Sequence, residues 1–388
     1  MKYLIITIIS LLFSSITFAQ DKSVRFALWG GNEDINHWID TYVSNELKNK
    51  HDILLERVPL SDTQDAIQKL IRDKRFRREN GSIDLLWLNG ENFKAMKDND
   101  LTWKPFLYEL ENSKYINLKD PTISNDFGIE HLGYEAPWGS AQMVFIYDSA
   151  KVPNPPETLD QLTDWIKENP GKFIYPAPPD FTGSAFIRQS LANIMGKEAY
   201  NNLINNFSVS SLEQELPKLW SWLKEIEPYL YQEGRFYPET ISKLHQNFSD
   251  GTVWMTMDYY PSTAQRMIDK GIFPKTAKTL VLKEGALANT HYVTIPFNAS
   301  HKENAKTVVN FLLGIDAQAS KLNSDNWGDF SVLDMSKLSP KDAEKLQSVD
   351  LGEATLSLEI LNNAKVQEFP AEHISMIEEE WKSNIIQE

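Results

Sequence analysis

The feature that most constrains this chain is the alternation of strand-like and helix-like patterns across residues 24–88. Residues 24–29 ("VRFALW") read as a short apolar strand, and "GGNE" follows as a turn into a helix from residue 35 to about 48. Residues 53–60 alternate apolar and polar, the period of a half-buried strand. Asp62 is placed to N-cap the next helix, whose Ala66, Ile67, Leu70 and Ile71 share one face. Gly81 stops that helix. Residues 83–88 ("IDLLWL") then form a continuous apolar run of the length of a buried parallel strand. A β-α-β-α-β order this compact implies a parallel sheet with right-handed crossovers.

Residues 1–19 stand outside the pattern. Lys2 gives a short positive start, residues 4–18 are an apolar run broken only by Ser and Thr, and Thr17-Phe18-Ala19 sets small residues at the cleavage-specifying positions. The run is shorter than the roughly 20 residues a membrane span needs. The expectation is a signal peptide cleaved after Ala19, and no later segment is apolar enough to span a membrane. The chain has no cysteine, which excludes disulfides, a thiol nucleophile, thiolate metal sites and a lipid anchor on cysteine. A formal charge of −15 without long acidic blocks argues against nucleic acid and anionic membrane as partners.

Past residue 142 the alternation resumes. Residues 143–147 ("MVFIY") read as a strand, and "VPNPPETL" leads into a helix opening at Thr158 with Leu159, Leu162, Trp165 and Ile166 on its buried face. Residues 172–175 ("KFIY") read as another strand, ended by the stiff loop "PAPPDFTG". Strands are expected at 253–257 and 292–296, and helices from Pro261 or Ser262 and over 304–313. Two α/β units thus alternate along the chain, which makes two crossings, a hinge and a cleft. The expected division is 20–141 for the first part of lobe 1, 142–290 for lobe 2, 291–330 for the rest of lobe 1, and 331–388 for C-terminal helices.

In open α/β sheets, ligands sit beyond the carboxyl ends of the strands. The loops there are Trp29-Gly30-Gly31-Asn32, Asn89-Gly90-Glu91-Asn92-Phe93, Pro179-Asp180-Phe181-Thr182-Gly183 and Asp258-Tyr259-Tyr260. Each mixes aromatic, polar and small residues, as a cleft for a small polar ligand requires. Taken singly, Gly30, Gly31, Gly90 and Gly183 read as turn glycines. Trp138, before the first crossover, is a ligand platform or a packing residue at the joint; Trp87 reads as core and His291 as a structural histidine. Asp180 is taken as a ligand contact, with Thr182 supplying the helix cap. There is no Gly-x-Ser-x-Gly elbow, His-Glu-x-x-His or phosphate-binding Gly-x-x-x-x-Gly-Lys. Glu91 with Asp180 as a glycosidase pair is the enzyme alternative.

Several stretches are similar to those of a known family. "YEAPWGSAQMVFIYDSAKVPNPPETLDQL", "YPAPPDFTGSAF", "DGTVWMTMDYYPSTA" and "NTHYVTIPFNASHKENAKTVVNFLL" resemble the extracellular solute-binding proteins of ABC importers across the whole mature chain. "NGENFKAMK" and "GYEAPWG" bring the resemblance nearest the YnjB-like branch. It implies a type II periplasmic-binding-protein fold, with two lobes of mainly parallel sheet flanked by helices, and delivery of a solute to a membrane permease. It further implies a periplasmic monomer without catalysis or cofactor. The acids Glu91, Asp180 and Asp258 and the aromatics Trp29, Trp138, Phe181, Tyr259 and Tyr260 suit a cation with a flat or methylated body, thiamine-like or a polyamine. Oxyanions at helix N-termini, and ferric iron on Tyr259 and Tyr260, are the alternatives.

Overall fold

The computed structural model describes residues 22–88 and 90–386, without the side chain of Glu91. The expected signal peptide and Asn89 lie outside the described residues. Three parallel strands form as the sequence predicts. Ser23–Trp29 runs between Leu54–Leu60 and Leu85–Leu88, so all three carboxyl ends emerge on one side. The helix between the first two begins at Glu33, passes through a π-helical stretch at Ile39–Val43 and ends at His51. Asp62 caps Thr63–Arg75 through a 2.9 Å bond from the Gln64 N–H, and Ala66, Ile67 and Leu70 are buried on its inner face.

This sheet is completed from distant parts of the chain. Ala286–Thr294 pairs antiparallel with Leu85–Leu88 and with Glu135–Gln142, and its first residues pair in parallel with Lys365–Gln367. The C-terminal region therefore contributes a strand as well as the helices Pro340–Gln347, Leu358–Ala364 and Ile374–Ile385. The second sheet has Val144–Asp148 at its centre, flanked by Met255–Asp258 and Ala277–Leu280. Both pairings are antiparallel, so the expectation of a mainly parallel second sheet does not hold. Its first two strands are separated by the long helical excursion from Leu159–Glu168 to Ile241–Ser249. A short βαβ crossover enforces parallel return; an excursion of several helices does not.

Residues 172–175 join no ladder, although Phe173, Ile174 and Tyr175 are fully buried. The carbonyls of Lys172 and Phe173 accept from the N–H groups of Trp254 and Tyr231 at 2.9 and 2.8 Å, so irregular segments satisfy them. Tyr175 stacks on Phe186 with ring centroids 4.5 Å apart and accepts a 3.1 Å bond from Trp381 Nε1, which ties the C-terminal helix down.

The two sheets are joined through adjacent segments. Only Met143 separates Glu135–Gln142 from Val144–Asp148. Behind this joint lies a tryptophan cluster. Trp138 is fully buried with its ring centroid 5.2 Å from Trp87 and from Trp327 and 6.4 Å from Trp38. Of the two roles open to Trp138, the structure gives it packing: its ring faces core on all sides and is no ligand platform. Beside it, Lys321 and Asp329 form a fully buried ion pair with Nζ to Oδ2 at 2.5 Å. A Cβ at Gly139 would come within 2.0 Å of Asp329 Oδ2, so the glycine after Trp138 makes room for that carboxylate. Among the described residues no helix is long and apolar enough to cross a membrane.

Candidate functional site

One cleft of about 560 Å³ opens at the carboxyl ends of Ser23–Trp29 and Leu54–Leu60 in the first sheet and of Met255–Asp258 in the second. Trp29, Asn32, Asp62 and Trp87 line it from the first sheet. Phe181, Thr182, His245, Asp258, Tyr259, Tyr260 and Arg266 line it from the second, and Asn289 and His291 lie on the strand between. Two large aromatics stand open to it, Trp29 at 43% exposure and Phe181 at 48%. Exposed aromatics on one cleft are a platform for a ligand with an apolar or flat body.

The polar frame is built from caps. Asn32 Oδ1 accepts from the N–H groups of Asp34 and Ile35 at 2.9 and 3.2 Å, fixing the loop after Trp29. Asp180 was expected to face the ligand, and the structure gives it another task. Its Oδ1 accepts from the Thr182 and Gly183 N–H groups at 3.0 and 2.9 Å, and its Oδ2 from the Ile241 N–H at 2.9 Å. One carboxylate thus caps the helix Phe181–Met195 and holds the start of Ile241–Ser249. Thr182 does not supply the cap, because a Thr in the first turn cannot reach back to its own orphan N–H groups as the preceding residue can. Replacing Asp180 with Ala is expected to cost about 2 kcal/mol, a strong cap plus a long-range bond, and Asn less. Urea unfolding checks this. Unchanged stability together with lost solute binding would return Asp180 to the ligand.

Gly183 and Gly30 are packing residues. A Cβ on Gly183 would meet the Pro176 carbonyl at 2.2 Å, and one on Gly30 would meet Pro59 at 2.9 Å. Gly90, with φ of +57°, occupies the left-handed side that favours glycine and lies over the Phe127 ring. Gly90 and Asn92 do not line the aromatic cleft; Asn92 Oδ1 is buried without a partner among the described residues.

The two tyrosines split. Tyr259 is buried, and its hydroxyl donates to Glu368 Oε2 at 2.5 Å. Glu368 Oε1 in turn accepts from Arg188 Nε at 2.8 Å, so the phenol belongs to a buried network. Its ring still meets Phe181, with centroids 5.1 Å apart. Tyr260 remains half-buried at the cleft, 6.1 Å from the His291 ring. Asp258 accepts from the Tyr260 N–H at 2.8 Å, and its Oδ2 lies 3.3 Å from His245 Nε2. Burial pushes its carboxyl up, partly offset by His245, the Tyr260 N–H and Arg266.

The pattern along the chain did not disclose Arg266. Its guanidinium pairs with Asp34, and Lys270 Nζ approaches the same carboxylate at 3.0 Å. This ion pair joins the helices that follow strands of the two different sheets. Burial works against the Asp34 charge, but Lys270 and Arg266 outweigh it and hold the carboxyl below its usual range. Trp87, read as core, lines the cleft floor, and His291 both lines the cleft and lies 3.2 Å from Asp329 Oδ1. The placement of Arg266 in the first turns after "YYPST" was the available signal, since that loop was already assigned to the cleft.

Against this geometry, known proteins give a consistent answer. A model of the family described as bacterial extracellular solute-binding protein matches residues 43–346. The chain belongs to that family. It is 37% identical over 336 residues to protein YnjB of Escherichia coli (strain K12), covering 85% of this chain and 84% of that protein. Among solved structures, a putative extracellular solute-binding protein from Bordetella parapertussis superposes with a TM-score of 0.71 at 11% identity, over 94% of this chain and 99% of that one. The spermidine/putrescine ABC transporter substrate-binding protein PotD from Streptococcus pneumoniae gives 0.63 at 14% identity, over 94% and 99%. The two-sheet architecture is thus the type II binding fold, and the extracellular solute-binding family carries solutes rather than transforming them.

Proposed function

We propose that this chain captures a small cationic solute with a flat or methylated body in the cleft and delivers it to the membrane permease of an ABC importer. The observation that carries the reading is the pair of half-exposed aromatics, Trp29 and Phe181, on a cleft that also holds Asp62, Asp258 and Tyr260. Cation–π contact with such rings and ion pairing with such acids select a cation. Among the described residues, the guanidinium that lines the cleft, that of Arg266, is already matched to Asp34. Two of the helix N-termini at the cleft, those of Phe181–Met195 and Ile241–Ser249, already hold the Asp180 carboxylate. Ferric iron is disfavoured because the Tyr259 hydroxyl is turned to Glu368. Asn89 and the side chain of Glu91 lie outside the described residues and stay as proposed contacts.

The lobes proposed are residues 20–141 with 291–330, and 142–290. Their bounds fall at the end of Glu135–Gln142 and inside Ala286–Thr294, beside the irregularity in register between His291 and Tyr292. Such paired connecting strands suit a hinge. Export with cleavage after Ala19, a periplasmic site and a monomeric state belong to the same reading.

Thiamine and spermidine are the probes for it. Calorimetric titration is expected to show binding of one of them, weakened at least tenfold by Trp29→Ala and by Phe181→Ala, with little change in ligand-free Tm because both rings are half exposed. Binding of sulfate or ferric iron with neither cation would overturn the ligand class. Turnover of a glycan would overturn the binding function itself.

A further inference from the structure

A second cavity of about 420 Å³ lies on the other side of the connecting strands from the cleft. Along Glu135–Gln142, Ala141 faces the cleft, whereas Ser140 and Gln142 line this cavity, as the two-residue period of a strand requires. Its remaining walls are the helix Pro121–Ser124, residues 330–335 and the helix Leu358–Ala364 with the strand that follows. The lining is mixed. Leu333, Met335, Leu346, Leu358 and Leu361 are apolar, Asp120 and Asp334 are acidic, and Lys197 and Lys365 are basic.

Lys365 is the unusual member. It opens the strand Lys365–Gln367, and among the described residues its Nζ makes no hydrogen bond and no ion pair. Burial holds its pKa below the usual lysine range, with Asp120 opposing. Asp120 does not neutralise it directly: its Oδ1 is bound by the Thr122 N–H at 2.9 Å and the Thr122 hydroxyl at 2.8 Å. Lys197, also on the lining, already donates to the Asn363 carbonyl at 2.7 Å. The side chain is half-buried on the cavity lining, and its ammonium, unpaired among the described residues, is available to an anion that enters.

We infer that this cavity behind the hinge is a second ligand site, for a small organic anion whose carboxylate meets Lys365 and whose apolar body lies against the leucines of the lining. The volume is within the range of small-molecule pockets. The inference does not depend on the cationic reading of the front cleft.

The test uses the full mature chain with hexanoate, benzoate and sulfate as probes, followed by calorimetry. The two carboxylates are expected to bind one to one, and sulfate, lacking an apolar body, more weakly. Lys365→Met is expected to weaken carboxylate binding about tenfold or more, and Arg266→Gln, in the front cleft, to leave it unchanged. In wild-type protein carrying ¹⁵N-labelled lysine, the Lys365 ammonium signal is expected to shift on adding hexanoate; this reading stands even where the variant fails to fold. No binding of either carboxylate, an unmoved Lys365 signal, or loss in Arg266→Gln with retention in Lys365→Met would each overturn the site. Sulfate binding as tightly as hexanoate would overturn the organic class of ligand.

Discussion

Asp329→Ala is expected to destabilise the protein by about 3–5 kcal/mol at neutral pH, the cost of orphaning a buried charge. Lys321 and Asp329 are both fully buried, and the ammonium also donates to the Phe330 carbonyl at 2.6 Å. Burial pulls the Lys321 pKa down and Asp329 opposes it, so losing the carboxylate leaves an ammonium with carbonyls and the Trp327 face 5.4 Å away. Either the charge persists uncompensated or the lysine gives up its proton; both cost stability. Removing both charges in Lys321→Met with Asp329→Leu is expected to recover most of the loss, because a well-packed apolar pair escapes desolvation. Urea unfolding of the three variants decides it. A loss below about 1 kcal/mol in Asp329→Ala would show that the pair contributes nothing to holding the joint together.

The second large effect is a pH dependence with an unusual sign. Asp126 and Glu135 are buried side by side, and all four of their carboxyl oxygens lack a side-chain partner among the described residues. Burial pushes Asp126 up to about 8, with the Gly90 N–H opposing. Burial, and then Asp126, hold Glu135 well above its usual range, with Lys97 opposing. Tyr292 and His131 complete the surroundings, and burial pulls His131 down to about 4. In the folded chain these carboxyls keep protons that the unfolded chain has already released. The stability they confer is therefore full below the unfolded carboxylate pKa and is lost as pH rises toward the folded one. His131 acts in the opposite sense, its contribution being present above about pH 6.5 and lost as pH falls toward its folded value. The clean window is pH 6.5 to 8. There the protein is expected to lose about 2 kcal/mol of stability through Asp126 as pH rises, with Glu135 acting in the same direction, and Asp126→Asn to reduce that slope while stabilising the protein at pH 8. Stability that is flat or rising across this window would contradict the account.

Much of the fold was legible because it is local. Asp62 and Thr158 cap the helices their positions announce, and the first three strands fall within a residue or two of their patterns. What escaped the sequence depends on groups far apart along the chain. A tryptophan beside a glycine reads alike whether its ring turns toward solvent, as Trp29 does, or into the core, as Trp138 does. The tyrosine pair gives no sign that Glu368 will take one hydroxyl. Asp180 was sought in the cleft because its second partner, the Ile241 N–H, lies 61 residues away. Arg266 went unnoticed because its meaning comes from Asp34, 232 residues distant. Strand direction in the second sheet was hidden for the same reason, since only short connections force it.

Native mass spectrometry of the exported protein, purified without denaturation, decides whether the cleft holds a small cation. The expected species is a chain beginning at Gln20 that carries one small cationic adduct, present in the wild type and lost in Trp29→Ala with Phe181→Ala. An adduct that persists unchanged in that double variant, or one that is anionic or ferric, would contradict that expectation.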